Sequence, residues 1–428
     1  MTDQNALAPV STISKNTILL ATYQLINGLV QFVLFLLLLR WIPQEHMDVY
    51  ELGRSCLEIG VGVIGSSVAA VIVRENARDE AWWGRHAVLV RKLLRVSALI
   101  LALLLYLLVV ASSHSAIYLI VIGLFCLTIY FQSRTDLYEA IFRSRDHVRI
   151  PVCTGILVNV SVTGLTLFCV LVFPFPVGWA AGGVLLRWLI QGMLLAWFSR
   201  QQVAQASVSS PRLPLRIQDL ILEIAPISVG AIAFIIYARI DVLMLQWLGY
   251  EETIAIYGCA FRPIGFLTLF TAAFYHAFAP SISRLIHHDP RSALCLALKV
   301  GGGLAFLGLG LAFGIVLYRE EITRLLYPPA FAAAADGMWV LAWSLPIIFG
   351  GNAVGFYLVN YGKQGAMYYM KINIFGVLIN VIGNGFAIYT YGFIGAAVVT
   401  VVTDAITTLL MLIVSLSLSR RDKPARTG

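Results

Sequence analysis

Residues 231–285 read AIAFIIYARIDVLMLQWLGYEETIAIYGCAFRPIGFLTLFTAAFYHAFAPSISRL. The segment contains two apolar runs, and each is long enough to cross a bilayer, because a spanning helix needs about 20 apolar residues. Four ionisable residues interrupt these runs: Arg239, Asp241, Arg262 and His276. A charge at the centre of a bilayer costs at least about 2.5 kcal/mol, so such residues normally face a protein interior or a water-filled cavity. The segment therefore predicts a membrane protein with a polar interior.

The composition of the whole chain indicates the same class. Its 428 residues are 59% hydrophobic and 12% charged, with a mean hydropathy of +0.84, whereas about 25% of the residues in a soluble domain are charged. The N-terminal segment lacks the pattern of a secretory signal peptide, so we expect the first apolar run to be retained. Apolar runs of this length exclude transmembrane strands and predict an all-α polytopic protein.

Twelve apolar segments are predicted to span the membrane. They cover residues 17–39, 49–73, 88–110, 115–133, 150–173, 177–198, 221–247, 253–282, 293–317, 338–361, 369–390 and 392–418. If the N-terminus is cytoplasmic, 23 of the 30 Lys and Arg residues lie in cytoplasmic segments and three in outside loops. Because cytoplasmic loops carry the excess of Lys and Arg, both termini are predicted to be cytoplasmic. The same bias explains the net charge of +8 without a nucleic-acid partner.

The two halves of the chain resemble each other. GILVNVSVTG at residues 155–164 and GVLINVIGNG at residues 376–385 share Gly and Asn positions. Because each half holds an even number of spans, the repeats are expected to be parallel, with a pseudo-two-fold axis along the membrane normal. The chain is therefore divided into a six-helix lobe (1–198), a cytoplasmic linker (199–220), a second six-helix lobe (221–418) and a basic cytoplasmic tail (419–428). The lobes are expected to face each other across a central cavity.

Arg54 and Arg262 are the first candidates for substrate binding. Each lies 20 to 22 residues before an Arg that ends its span, which places the two at similar heights in the two lobes. Two arginines at one height across a cleft would suit an anion such as phosphate, because the guanidinium group is always charged and offers several donors. The alternative is structural pairing, of Arg54 with Glu58 at i,i+4 and of Arg262 with a partner that the sequence does not reveal.

Further candidates lie on other spans. Asn27 and Gln31 share a face of the first span and are candidates for substrate binding, as is Arg239. Asp241 is only two residues from Arg239, so the two side chains are expected to project differently rather than pair.

Acids and a histidine within the spans are candidates for ion coupling. Asp404 lies near the middle of the twelfth span, where it would either take up protons or pair with Arg187. His276 titrates near neutral pH and is a candidate gating group, or a hydrogen-bonded interface histidine. Glu58 and Asp241 complete this set.

Several segments resemble a known family. They are ARIDVLMLQWLGYEETIAIYGCAFRP followed by FAPSISRL, then EAIFRSRDHVRI (139–150), and GKQGAMYYMKINIFGVLINVIGNGFAIYTYGFIGAA (362–397). Together these segments look like bacterial polysaccharide transporters, the O-antigen and exopolysaccharide flippases of the multidrug/oligosaccharidyl-lipid/polysaccharide exporter superfamily. The resemblance runs over most of the chain and is clearest after residue 220. Its motifs consist mainly of Gly and apolar positions.

The resemblance implies a flippase rather than an enzyme. Such a protein would move a polyprenyl-diphosphate-linked oligosaccharide from the cytoplasmic to the outer leaflet of the bacterial inner membrane by alternating access. It would need no cofactor beyond H⁺ or Na⁺ as a coupling ion, and its partners would be the lipid bilayer and proteins of lipopolysaccharide or exopolysaccharide assembly such as a glycan polymerase. Cationic residues bordering the cavity would bind the diphosphate, which the resemblance assigns to Arg54 and Arg262.

Two other readings stay open from the sequence. A drug or cation antiporter of the same fold would favour acidic residues in its cavity. A membrane glycan polymerase or ligase would need a sizeable external catalytic loop, but the longest predicted outside loop, residues 318–337, is about 20 residues long. No GxxxxGK[ST] segment is present, so ATP is not expected to be the direct driver.

Overall fold

The computed structural model describes the backbone of residues 10–78, 82–111, 115–145, 147–203 and 228–421. These residues form long helices, and no strand occurs among them. The first six helices are α1 (Val10–Trp41), α2 (Gln44–Arg78), α3 (Trp82–Val110), α4 (Ala116–Ser144), α5 (Arg149–Val172) and α6 (Pro176–Val203). Each contains one of the first six predicted spans.

The described helices of the second half are more often broken. They are α7 (Ser228–Tyr237), α8 (Ile240–Trp247), α9 (Ile254–His288), α10 (Pro290–Leu326), α11 (Ala334–Leu341), α12 (Ser344–Asn360) and α13 (Lys363–Arg421). The helix pairs α7–α8 and α11–α12 bend by 43° and 40°, so the seventh and tenth spans are broken helices rather than the continuous ones predicted. No Gly or Pro marks the first break, at Ala238–Arg239, so the sequence does not reveal it. The second break, at Ala342–Trp343, lies four residues before Pro346, whose missing N–H removes the helical hydrogen bond to the Ala342 carbonyl.

The described helices account for a polytopic membrane protein. Eight helices are long and apolar enough to span a membrane, or ten if each bent pair is one span. α2 is not among them, because part of it lies outside the residues whose side chains are described, and it adds the predicted span 49–73. α13 has 59 residues and would be about 88 Å long if straight, so it contains two spans. The two bent pairs, α2 and the second span of α13 raise the number of spans from eight to the predicted twelve.

The two spans of α13 meet at Gly392. Its backbone has φ 59° and ψ −140°, a combination that L-residues other than glycine rarely adopt. The break falls between the predicted eleventh and twelfth spans, at residues 369–390 and 392–418. Glycine at this position therefore lets the chain turn back into the membrane without a separate loop.

The helices form two lobes. In the first half α4 packs on α2, α3 and α6, and α5 packs on α1 and α6; in the second half α12 packs on α9, α10 and α13. The principal contacts between the halves join α1 and α2 to α9, and α2 to α8. A cleft lined by these four helices therefore separates the lobes. Most of the predicted linker and most of the predicted basic tail lie outside the described residues.

α4 extends beyond its predicted span. It runs to Ser144 rather than ending at 133, and Leu137, Tyr138 and Ile141 on its last turns are buried. The charged residues of this segment lower its hydropathy, whereas its apolar residues recur at helical spacing and keep one face packed. Part of the segment assigned to a cytoplasmic loop is thus a packed helix end.

At the start of α10, Asp289 accepts hydrogen bonds from the backbone N–H groups of Arg291 and Ser292. Hydrogen bonds from the Ser292 hydroxyl and backbone lower the pKa of the Asp289 carboxyl, which stays ionised and caps the helix.

Gly392→Ala should lower the melting temperature of the purified protein, because an alanine in this backbone conformation costs about 1–3 kcal/mol. The matched control is Gly385→Ala, at an exposed helical position where an added Cβ meets nothing within 4 Å. Alanine is a better helix former than glycine, so this control should melt at the wild-type temperature or slightly above. Equal melting temperatures for Gly392→Ala and wild type would contradict the assigned turn.

Candidate functional site between the lobes

α2 presents three charged residues to the cleft. Glu51, Arg54 and Glu58 are separated by three and four residues, so they share one face of the helix. α9 approaches this face closely at Gly258, where an added Cβ would lie 3.0 Å from Cγ of Glu51. This face of α2 therefore lies at the interface between the lobes.

Glu51 forms an ion pair with Arg262 of the opposite lobe. The Arg262 guanidinium group donates to Oε1 of Glu51, and its Cζ lies 3.8 Å from the ring centroid of Phe35 in α1. Arg54 lies 3.9 Å from the same carboxylate. Arg54 and Arg262 thus meet at one height, as predicted, but they share a carboxylate instead of facing an empty cleft. Glu51 is the partner of Arg262 that the sequence did not reveal.

Glu58 forms a second bridge between the lobes. Its carboxylate accepts from Arg54 on the same helix, which is the predicted i,i+4 pair, and from Nε of Arg239. Arg239 lies at the break between α7 and α8, and its guanidinium carbon is 5.0 Å from the ring centroid of Phe261. We call Glu51, Arg54, Glu58, Arg239 and Arg262 the distal cluster, because it lies toward the membrane face opposite the chain termini, here called the distal face.

Two further hydrogen bonds extend this closure toward the distal face. The Asp48 carboxylate accepts from the backbone N–H of Ala255 at 2.6 Å, and the Gln44 side chain donates to the carbonyl oxygen of Glu252 at 3.0 Å. Both contacts join α2 to the start of α9 or the turn before it. The lobes are therefore fastened together at the distal end of the cleft.

Exposure within the distal cluster increases away from the distal face. The Glu51 side chain is 8% exposed. The Glu58 side chain, which lies about 10 Å farther from the distal end of α2, is 30% exposed. Glu58 is therefore the more accessible of the two carboxylates. Three guanidinium groups and two carboxylates leave the distal cluster with a surplus of positive charge.

Asp241 takes no part in the distal cluster. It is buried, and its carboxylate accepts from the Tyr257 hydroxyl, from Thr400 at 3.4 Å and from the Val242 backbone at 2.9 Å. These bonds tie α8 to α9 and α13 inside the second lobe. Arg239 and Asp241 turn to different partners, as predicted from their spacing.

Asp404 lies in a separate cavity of about 400 Å³ within the second lobe. Its carboxyl group is close to Tyr237 and Ser344. The predicted alternative of pairing with Arg187 is wrong, because Arg187 lies in the first lobe beside Tyr23 and Glu139. The span pattern predicts the depth of the two residues but not the lobe interior that each one faces.

Asn27 and Gln31 form a polar contact between α1 and α5. Asn159 donates to Asn27 at 2.7 Å and accepts from Gln31 at 2.9 Å. Asn159 is fully buried, and its hydrogen bonds hold α1 and α5 together. The structure thus gives Asn27 and Gln31 structural partners. His276 belongs to α9, but its side chain is outside the described part of the structure.

Sequence reasoning missed two polar groups of the first lobe. Glu139 accepts from Gln191 at 2.9 Å, and an added Cβ at Gly65 of α2 would lie 2.8 Å from Asp136. Both acids were assigned to a loop because the fourth span was ended at 133. The helical spacing of Leu137, Tyr138 and Ile141 was the signal that could have placed them inside the lobe.

Removing the acids of the distal cluster should loosen the distal closure. In a background with the exposed Cys153 and Cys295 changed to Ser, Gln44→Cys and Glu252→Cys provide a crosslinkable pair for a short bis-thiol reagent. Adding Glu51→Gln and Glu58→Gln should slow crosslinking in membranes at least about fivefold, because charged hydrogen bonds contribute about 1.5–3 kcal/mol each.

The control is Glu320→Gln, which removes an exposed ion pair with Arg319 on α10 and should leave the crosslinking rate unchanged. If the rate is the same with and without Glu51 and Glu58, the distal cluster does not hold the lobes together.

Comparisons with known proteins agree with this architecture. The protein is similar in structure to the lipid II flippase MurJ in an inward closed conformation, with a TM-score of 0.68 and 13% identity over 93% of this chain and 87% of that one. It is also similar to a mutant form of the Vibrio cholerae MATE transporter VcmN, with a TM-score of 0.67 and 14% identity over 96% and 98% of the two chains. A third similar structure is a MOP superfamily transporter from Pyrococcus furiosus, with a TM-score of 0.67 and 15% identity over 97% and 99%.

Identities this low show a shared fold, and the fold is that of the two-lobed, twelve-helix MOP transporters. A sequence search of curated proteins gives no match. A family model described as polysaccharide biosynthesis protein matches residues 13–286. Since that range is more than half of the 428 residues, the chain belongs to the polysaccharide biosynthesis protein family.

Proposed function

We propose that this protein is a flippase for a polyprenyl-diphosphate-linked oligosaccharide, such as an O-antigen or exopolysaccharide repeat unit. It would take the head group from the cytoplasmic leaflet of a bacterial inner membrane and release it in the outer leaflet by alternating access. The observation that carries this proposal is the distal cluster, where three arginines meet between the lobes of a membrane protein and share ion pairs with two carboxylates. The Lys and Arg bias makes the distal face the outer one.

The substrate class follows from a physical requirement. A diphosphate sugar head group cannot cross about 30 Å of hydrocarbon without a polar route. A cleft between two lobes supplies that route, while the polyprenyl tail stays in the surrounding lipid. Arginine suits the diphosphate because its planar guanidinium group binds phosphate oxygens in a bidentate manner.

The mechanism that we propose is competition between substrate and acids. A diphosphate arriving from the cytoplasmic side first meets Glu58, Arg54 and Arg239, whose side chains are 23–30% exposed. Its oxygens displace Glu58 from these two arginines, which breaks one bridge between the lobes. Arg262 lies next along the cleft, and its transfer from Glu51 to the phosphate would break the other bridge and open the distal side.

The energies of these exchanges are of the right size. Moving a two-state equilibrium from 1:99 to 99:1 needs a differential affinity of about 5.5 kcal/mol. Two charge-assisted hydrogen bonds of about 1.5–3 kcal/mol each, made only in the open state, approach that value. The substrate could thus drive opening by taking over contacts that hold the closed state.

Asp404 is the proposed coupling group. It is the one acid among the described residues lining the cavity of the second lobe, which also presents Tyr237, Asn352 and Thr407. Asp404 and Thr400 are one turn apart on α13, and Thr400 contacts Asp241 at the start of α8, beside Arg239. Protonation or cation binding at Asp404 would reach the distal cluster through this side of α8.

A second candidate function is a cation antiporter. The Asp404 cavity favours it, because Phe234, Phe356 and Tyr369 line the cavity around a single described acid, and aromatic faces attract organic cations. An efflux assay with a cationic dye in proteoliposomes distinguishes the two candidates.

The flippase proposal predicts protein-dependent transfer of a fluorescent polyprenyl-diphosphate oligosaccharide between leaflets of proteoliposomes. Arg54→Gln with Arg262→Gln should reduce the initial rate at least about tenfold, because two charge-assisted contacts to phosphate are lost. Arg319→Gln, which removes a partly exposed arginine of α10 outside the distal cluster, is the matched control and should transport normally. Normal transport by the double variant at equal protein level would refute the anion site, and dye efflux without lipid transfer would favour the antiporter.

Asp404→Asn should uncouple transport from an imposed proton or sodium gradient. The substitution keeps side-chain volume and hydrogen bonding but removes the titratable charge, so transfer should become independent of the gradient. Asp336→Asn, an exposed acid of α11, removes the same charge elsewhere in the lobe and should leave the gradient response intact. A wild-type gradient response in Asp404→Asn would exclude Asp404 as the coupling group.

A further inference from the structure

A basic groove lies between α3 and α4, on the outside of the first lobe. It has a volume of about 530 Å³ and receives cations from both helices. The lining residues are Val88, Arg91, Lys92, Leu94, Arg95, Tyr130, Arg134, Leu137 and Tyr138. Four of these described residues are cationic and none is acidic, so the groove differs in charge balance from the distal cluster.

The groove lies at the height of lipid head groups, on the membrane face opposite the distal face. Arg134 is 18 residues from the distal end of α4 at Ala116, and Arg95 is 15 residues from the distal end of α3 at Val110. At 1.5 Å per residue these separations are about 27 Å and 22 Å. A hydrocarbon core is about 30 Å thick, so the cations lie close to the core boundary on the side opposite the distal face.

The groove opens to lipid and not to the central cleft. α3 makes its principal contacts with α2 and α4, whereas the contacts between the lobes are made by α1, α2, α8 and α9. Beyond the groove, α3 exposes a continuous apolar ridge that includes Leu93, Val96, Leu99, Ile100 and Leu103. A head group bound in the groove would therefore have its acyl chains along an exposed hydrocarbon surface.

We propose that this groove binds the phosphate head group of an anionic phospholipid. Basic pockets between transmembrane helices near the cytoplasmic surface are suited to anionic head groups. The Arg134 guanidinium carbon lies 5.8 Å from the ring centroid of Tyr138, and both side chains line the groove. Tyr130 adds a ring with a polar tip, the kind of side chain favoured at a membrane interface.

Membrane orientation alone does not account for the arrangement. A bias in Lys and Arg between loops needs only charge near the span ends. Here charges from two helices converge on one cavity with an apolar ridge beside it. The polyprenyl-diphosphate substrate is a poorer fit as occupant, because the groove lies away from the principal contacts between the lobes.

The test measures lipid binding and is independent of transport. Detergent-purified protein is titrated with dioleoylphosphatidylglycerol or dioleoylphosphatidylcholine, and the apparent affinity is read from the melting temperature. The anionic lipid should bind more tightly, and Arg95→Gln with Arg134→Gln should weaken it about fivefold for each guanidinium group removed. Arg149→Gln with Arg420→Gln removes two exposed arginines elsewhere and should leave the affinity unchanged.

A second variant tests the groove without changing its charge. Val88 is 75% exposed at the groove, so Val88→Trp should fill the space and weaken binding of the anionic lipid. Leu89→Trp, at the next residue and outside the lining set, should bind as wild type does. The proposal is overturned if both tryptophan variants bind equally, if the control pair loses as much affinity as the groove pair, or if undecaprenyl diphosphate binds the groove more tightly than the phospholipid.

Discussion

Two carboxylates of one helix hold three arginines between the lobes, and the closed cleft depends on these pairs. An unpaired guanidinium group between apolar helices would carry a large desolvation penalty, so each arginine requires an acid while no anion is bound. Glu51 and Glu58 both belong to α2, and Arg239 and Arg262 both belong to the second lobe. The arginines of the second lobe therefore gain their carboxylate partners only when the distal end of the cleft closes.

The two lobes contribute opposite charges to the closure. α2 contributes both acids, and the second lobe contributes two of the three bases, so separation of the lobes exposes an acidic surface on one side and a basic surface on the other. Arg54 belongs to α2, as do Glu51 and Glu58, so the first lobe also carries one arginine. An anion that enters the cleft therefore gains donors from both lobes only when it takes the place of the carboxylates.

The sequence predicts structural features that depend on a single helix, but not contacts that depend on how two helices pack. Hydropathy gives the twelve spans, and the spacing of Glu51, Arg54 and Glu58 gives their common face. The turn at Gly392 falls at the predicted boundary because only glycine tolerates that backbone conformation. By contrast, the pairing of Arg262 with Glu51 joins residues 211 positions apart, and no local pattern specifies it. Asp404 and Arg187 lie at similar depths, yet they face different lobe interiors. The break at Ala238–Arg239 has no Gly or Pro signal, whereas the break at Ala342–Trp343 is signalled by Pro346, four residues after Ala342.

The two sets of arginines differ in what compensates them, and this difference follows from their surroundings. In the distal cluster no head groups are available, so the protein itself supplies carboxylates, and any anionic ligand must compete with them. In the groove between α3 and α4 the described lining supplies none. A membrane surface rich in anionic head groups lies at the same height and can provide the missing charge. The first arrangement suits a ligand that comes and goes, because a protein acid replaces it on release. The second suits a ligand that stays, because nothing in the described lining takes its place.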